Sequence, residues 1–86
     1  MKINELIKII EYKIKKNFDV TDLKIEDKSF LHSGHKNFRE DKYHIKLTIN
    51  SSELKKINSL ESNKKVYSVL KDEMKKNIHS LQIAII

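Results

Sequence analysis

Several residue types that carry chemistry or shape the backbone are missing or rare in this chain. It contains no cysteine, proline or tryptophan and a single glycine, Gly34. Without cysteine the chain cannot form a disulfide, a thiolate nucleophile, a zinc finger or an iron–sulfur cluster held by its own thiolates. The apolar runs are short, as in residues 83–86, so no segment is expected to cross a bilayer. The first residues, MKINELIKIIEYK, interleave charged and apolar side chains and do not resemble a secretory signal.

The length of the chain bounds both fold and function. With 86 residues it is expected to form a single cytoplasmic domain, residues 1–86, around one thin core. A chain of this size buries roughly 60–65% of the surface that it exposes when unfolded, which leaves no room for a large enzyme cleft. No nucleophile, base and orienting group can be assembled from its residues, so the sequence does not predict an enzyme.

The charge is basic, and almost all of it comes from lysine. There are 18 Lys and Arg against 12 Asp and Glu, a net charge of +6, and Arg39 is the only arginine. Arginine is the side chain whose planar fork matches phosphate and guanine bidentately. The lysine-rich charge therefore favours weak attraction to polyanions but does not identify a nucleic-acid site.

The spacing of apolar residues predicts the secondary structure. Helical spacing covers Ile3, Leu6, Ile7, Ile10, Ile14 and Phe18. Strand alternation follows at Leu23 and Ile25, again from Tyr43 to Ile49, and finally through Leu81, Ile83 and Ile85. The polar residues from Asp27 to Lys42 are expected to form a long loop, and a loop of that length in a small domain is more often functional than idle.

Two helical segments are predicted between the second and third strands. Ser51 and Ser52 are expected to form a turn or N-cap before a short helix with Leu54, Ile57 and Leu60 on its apolar side. Ser62 is expected to cap a longer helix, whose buried side would be Val66, Val69, Leu70, Met74 and Ile78.

This order, α-β-β-α-α-β, indicates an α+β two-layer sandwich. The first two strands are expected to pair as an antiparallel hairpin, and the third to return after a helical crossover to a three-stranded mixed sheet with the helices on one face. Lys24, Glu26, Lys46 and Thr48 would face water. The residues predicted to be buried are Leu6, Ile10, Ile14, Ile45, Leu47, Val69, Leu70 and Ile83.

Histidine is the side chain most suited to carry chemistry here. His32 and His35 lie in the long loop, in the sequence LHSGH, and are either metal ligands or two solvated histidines. His79 follows the predicted end of the long helix, where a histidine is favourable when protonated because of the helix dipole. His44 alternates with Tyr43 and Ile45, which predicts a surface position on its strand.

Several segments together resemble the BolA family. They are Asp27-x-Ser29 before the histidine-bearing loop, Tyr43-His44-Ile45-Lys46 on a strand, Lys64-Lys65-Val66-Tyr67-x-x-Leu70 on a helix, Asp72-Glu73, and Ile78-His79-Ser80-Leu81. The resemblance covers nearly the whole chain in the family's element order, and the Ser-Gly-His form of the loop is most similar to alphaproteobacterial members. It implies a fold similar to a type II KH arrangement without the Gly-x-x-Gly loop.

The resemblance also implies a partner protein. BolA-like proteins bind monothiol glutaredoxins and share a 2Fe–2S cluster with them, in iron–sulfur trafficking or iron sensing. Glutaredoxin and glutathione supply thiolates, and the BolA-like chain supplies nitrogen ligands. The family's near-invariant histidine corresponds to His79. Its loop ligand corresponds to His32 when counted from Asp27-x-Ser29 and to His35 when counted back from Tyr43-His44, so both stay open.

A second reading, also implied by the family, is a DNA-binding transcriptional regulator. The contacts with DNA would come from lysines in or beside the long helix, namely Lys55, Lys56, Lys64, Lys65, Lys71, Lys75 and Lys76. The simpler interpretation of these lysines is that they form a solvated helix face. The usual KH clamp is excluded, because a Gly-x-x-Gly loop needs two glycines. No membrane partner is expected, and the isolated chain is predicted to be a monomer or a weak homodimer without a cofactor of its own.

Overall fold

The first helix and the first two strands form where the periodicity predicts them. The computed structural model describes residues 1–29 and 42–86. Helix α1 (Ile3–Asn17) buries Leu6, Ile10 and Ile14, one residue per turn of the helix. Strand β1 (Asp22–Asp27) and strand β2 (Tyr43–Asn50) alternate between core and solvent. The loop predicted between them lies, for residues 30–41, outside the described residues.

The sheet has three strands in the order β1-β2-β3, where β3 is Ile78–Ile85. Strands β1 and β2 are antiparallel, with Asp22 opposite Asn50 and Asp27 opposite Ile45. Strands β2 and β3 are parallel, so β3 must return over the sheet through the helices that precede it. The predicted mixed sheet with helices on one face is therefore confirmed.

The helices between β2 and β3 differ from the prediction in their bounds. They are α2 (Ser52–Lys55), α3 (Ser59–Val69) and α4 (Lys71–Lys76). The predicted cap Ser62 is wrong, because Asn58 caps α3 and Ser62 lies buried inside it, with its hydroxyl donating to the Ser59 carbonyl at 3.1 Å. The predicted long helix is divided at Leu70, whose backbone leaves helical geometry.

The N-cap predicted for α2 is confirmed at Ser51, and it supports a stability prediction. Ser51 is fully buried, and its Oγ accepts a hydrogen bond from the Leu54 N–H at 3.2 Å. We expect Ser51→Ala to lower the free energy of unfolding by about 1–2 kcal/mol, the cost of losing a cap. Urea denaturation measures this, with exposed Ser52→Ala as the matched control. Equal midpoints for the two variants would contradict the capping role.

The core lies between the sheet and the helices. Its buried members are Leu6, Ile10, Ile14, Phe18, Ile45, Leu47, Ile49, Leu54, Val66, Leu70, Ile78 and Leu81. Two residues predicted to be buried, Val69 and Ile83, are half-buried at its margin, and Ile83 lies on an edge strand with a neighbour on one side only. Leu60, predicted to face the core from a short helix, is 65% exposed because it falls in the first turn of α3 instead.

One ion pair joins the first helix, α1, to the last, α4. The Lys13 Nζ on α1 donates to both carboxylate oxygens of Glu73 on α4, at 2.8 and 2.9 Å. The Glu73 side chain is 9% exposed, whereas Lys15 and Glu11 form a 3.6 Å pair in which both side chains are more than half exposed. The first pair is thus partly shielded from water, on the Glu73 side, whereas the second is open to water.

This contrast predicts unequal effects of removing the two lysines. Lys13→Met should lower the free energy of unfolding by about 1–3 kcal/mol, because it leaves a buried carboxylate without its partner. Lys15→Met should cost less than about 0.5 kcal/mol, since exposed pairs contribute little. Adding Glu73→Gln to Lys13→Met should recover part of the loss in a double-mutant cycle. Additive single effects would contradict the proposed coupling.

None of the helices in residues 1–29 and 42–86 combines the length and the apolar composition that crossing a membrane requires.

Candidate functional site

His79 occupies an irregular position in the sheet. In the pairing of β2 with β3, Ile78 lies opposite Tyr43 and Ser80 lies opposite His44. Two steps along β3 therefore match one step along β2, and His79 is the extra residue of a bulge. Bulges are found where a strand turns a side chain out of its regular alternation, often beside functional sites. His79 is exposed here, which leaves its imidazole accessible to a partner.

The bulge also corrects two predictions about this part of the chain. Strand β3 begins at Ile78 rather than near Leu81, so His79 lies inside a strand and does not merely follow a helix. The side chains of Ile78 and Leu81 are both buried although they are three residues apart. That spacing is typical of a helix, and it arises here because the extra residue shifts the alternation of the strand.

The residues that flank segment 30–41 meet at the same corner of the sheet. The Lys28 N–H donates to the His44 carbonyl at 2.7 Å, and the His44 N–H donates to the Ser29 Oγ at 3.0 Å. The Tyr43 N–H donates to the carbonyl of Asn77, two residues before His79, at 2.9 Å. The chain therefore leaves this corner after Ser29 and returns to it before Tyr43. His32 and His35 themselves lie outside the described residues.

His44 is not the surface residue that strand alternation predicts. It is 9% exposed, and its ring packs edge-on against His79 with 4.9 Å between the ring centroids and 61° between the ring planes. Its Nδ1 lies 2.6 Å from the Ser80 Oγ. The residue does lie on the sheet face away from the helices, where its ring contacts His79 and Ser80 on β3. Sequence reasoning missed this contact because alternation describes a strand without its neighbour.

The same sheet face carries a small cluster of charges on β1 and its end. Lys28 and Lys24 lie 3.2 and 3.7 Å from a carboxylate oxygen of Glu26, and Lys46 lies opposite Glu26 across the β1–β2 ladder. The Lys28 hydrogen bond, followed by the nearby lysine charges, holds the pKa of Glu26 below its ordinary value. The Glu26 carboxylate therefore stabilises the fold above the unfolded-state pKa, and this contribution is lost as the pH falls through the lowered pKa.

The lysines predicted as an alternative interface all lie in or beside the helices after β2, and all are exposed. Lys55 and Lys56 end α2, Lys64 and Lys65 lie in α3, and Lys71, Lys75 and Lys76 lie in α4. Lys71 and Lys75 are four residues apart and so share one face of α4. None of these lysines forms an ion pair with a described acidic residue, so their charge is available to an external anion.

The described part of the corner holds few side chains that could bind a metal ion. Within residues 1–29 and 42–86 no three His, Asp or Glu side chains come together to hold a metal ion. The described part of the corner offers instead one exposed imidazole, that of His79, beside a buried one. Imidazole nitrogen is a good ligand for iron, copper and zinc.

A family model described as BolA-like protein matches residues 14–86, which include β1, β2, the corner and the whole of β3. The chain belongs to the BolA family. This confirms the resemblance that the sequence motifs indicate.

Other BolA proteins are similar over most of this BolA-like chain. The DNA-binding transcriptional regulator BolA of Haemophilus influenzae is 37% identical over 75 residues, which cover 87% of this chain and 70% of that protein. Protein BOLA1, chloroplastic, of Arabidopsis thaliana is 30% identical over 74 residues, covering 83% of this chain and 46% of that protein. The chain thus spans less than half of the plant protein.

The fold of this BolA-like chain matches a solved BolA domain. The BolA domain of SufE1 from Arabidopsis thaliana superposes with a TM-score of 0.78 at 27% identity, over 99% of this chain and 92% of that one. The α+β architecture with a three-stranded mixed sheet is therefore that of the family.

Proposed function

We propose that this BolA-like chain binds a monothiol glutaredoxin and shares a 2Fe–2S cluster with it, in iron–sulfur trafficking or iron sensing. His79 would be one ligand from this chain, and His32 or His35 would be the other. The chain acts in this proposal as a binding protein rather than an enzyme. The single observation that carries the proposal is the exposed His79 on the bulge of β3, at the corner where segment 30–41 leaves and rejoins the sheet.

The chemistry of the donors supports a cluster held between two proteins. The chain has no thiolate, so it cannot hold a cluster alone, whereas imidazole can replace thiolate on one iron of such a cluster, as in Rieske centres. The bound cluster would supply iron that can be passed on or sensed. The part of this chain is to present the His79 imidazole, to bring a loop histidine to the same corner, and to bind the partner that brings the thiolates.

Mixing the purified chain with a monothiol glutaredoxin, glutathione, iron and sulfide tests the proposal. We expect a coloured heterodimer, identified by its mass, whose visible spectrum differs from that of the cluster that glutaredoxin and glutathione form alone. The glutaredoxin without this chain is the control. Separate elution of the two proteins, with the cluster remaining on the glutaredoxin alone, would contradict the proposal.

A second candidate function is DNA binding, favoured by one observation among the relatives. The Haemophilus influenzae protein, 37% identical, is named a DNA-binding transcriptional regulator. The exposed lysines on α2, α3 and α4 offer the positive charge that binding to phosphates needs. If this function holds, the isolated chain should shift a specific duplex, and Lys71→Ala with Lys75→Ala should weaken binding and reduce its salt dependence. His79→Ala should then have no effect on the shift.

A further inference from the structure

His44 has an environment that its place on the open sheet face does not explain. Side chains on this face of β2 are expected to contact water, and the next one along, that of Lys46, lies opposite Glu26 in the charged cluster. His44 is instead 9% exposed. Its Nδ1 lies 2.6 Å from the Ser80 Oγ, and its backbone N–H and carbonyl bind Ser29 and Lys28. The side chain of His44 is thus in contact with β3, and its backbone is hydrogen-bonded to the residues that follow β1.

The His44 ring in turn contacts the proposed ligand. Its centroid is 4.9 Å from that of His79, in the edge-to-face arrangement that aromatic pairs favour. His79 is the extra residue of the bulge and has no ladder partner on β2. An exposed side chain at such a position loses conformational entropy when a bound ligand orders it. A ring that already packs against the side chain reduces this entropy loss on binding.

We propose that His44 is a positioning residue for His79. The His44 ring, which contacts Ser80, restrains the His79 imidazole in the orientation in which His79 would bind iron. The inference rests on the proposed function, since it assigns His79 the role of ligand, but it concerns a residue that the strand alternation placed at the surface. His44 would act through His79 and would not itself bind the cluster.

Variants at His44 and Ser80 separate this role from a purely structural one. His44→Ala removes both the ring contact and the Nδ1 contact. His44→Phe keeps an aromatic ring against His79 but loses Nδ1, and Ser80→Ala removes the group that Nδ1 contacts while leaving both rings. Lys46→Ala, two residues along the same strand and on the same face, is the matched control. Urea denaturation identifies any variant that does not fold. If His44→Ala does not fold, Ser80→Ala still tests the proposal.

The first readout uses the chain alone and needs no cluster. Ring proton and carbon shifts of His79, measured by NMR, should change in His44→Ala and be largely restored in His44→Phe, with a smaller change in Ser80→Ala and none in Lys46→Ala. The relaxation of the His79 ring should show greater mobility in His44→Ala. Shifts and relaxation that stay at wild-type values in His44→Ala would overturn the positioning role, whatever the cluster does.

The second readout uses the complex with glutaredoxin. His44→Ala should weaken cluster retention by about tenfold, the low end of the effect of groups that orient metal ligands, while the visible spectrum keeps its wild-type shape. A spectrum changed in the same way as in His79→Ala would overturn the proposal, because His44 would then be a ligand. A wild-type complex without any cluster would overturn the proposed function instead, and the NMR result would still decide whether His44 orders His79.

Discussion

His79→Ala is expected to abolish the histidine-ligated form of the shared cluster while leaving the fold intact. The imidazole is exposed and lies on a bulge without a ladder partner, so its removal creates no buried cavity. The cluster, however, loses a nitrogen ligand for which this chain has no thiolate substitute. We expect a urea midpoint close to that of the wild type together with a changed or absent visible spectrum in the complex.

The loop histidines give this prediction its internal control. Of His32→Ala and His35→Ala, one should behave like His79→Ala and the other should be nearly silent, since a single loop ligand is expected. Acid should also release the cluster, because a protonated imidazole cannot bind iron. If lysine charge alone held the partner, salt would weaken the complex and all these histidines would be dispensable.

The combined variant decides between these explanations. In a chain with His32, His35 and His79 all replaced by alanine, the proposal expects no histidine-ligated cluster. An unchanged cluster spectrum on an intact complex of this variant would refute the ligand assignment, whereas loss of the complex only at high salt would favour the lysine explanation.

Ile45→Ala and Leu70→Ala are each expected to lower the free energy of unfolding by about 2–5 kcal/mol. Leu70 is fully buried at the junction of α3 and α4, and Ile45, 2% exposed, lies on the central strand. Truncating either side chain leaves a cavity, and the thin core of this small domain has few neighbouring side chains that can move to fill it. Because small domains often have a total stability of about 5 kcal/mol, either change could unfold this one.

Urea denaturation followed by circular dichroism measures these losses. Leu60→Ala removes the same number of carbons from a residue that is 65% exposed, and it should move the midpoint very little. Midpoints within error of the wild type for both Ile45→Ala and Leu70→Ala would show that the assigned core is wrong. A lower midpoint with an unchanged slope would show that stability changed without a change in the surface exposed on unfolding.

Local periodicity predicted the elements that are regular. Helix α1 has a buried residue on each turn, and β2 alternates without interruption over Ile45, Leu47 and Ile49. The prediction failed where the backbone is irregular. Ile78 was assigned to the long helix because it continues the helical spacing of Met74, and Leu81 to the last strand because it alternates with Ile83. The bulge at His79 instead brings Ile78 and Leu81 into the core from one strand.

At the candidate site, too, local patterns predicted some features and failed for others. His79 was identified from its motif, but its position on a bulge depends on the pairing of β2 with β3. His44 was placed at the surface, because alternation along one strand contains no information about which side chain of a neighbouring strand will pack against it. Contacts between residues 35 or more positions apart in sequence require the register of the sheet to be known.

By itself, the amino-acid sequence determined the family, the α+β class, the first helix and the first two strands, and it excluded thiolate chemistry by this chain. These properties follow from residue types and from spacings within one element, which act over a few residues. Only the tertiary structure decided that β3 starts at Ile78 and that His44 packs against His79. Each of these depends on which backbone groups pair across the sheet, and that pairing is selected by burial of the whole core rather than by any local pattern.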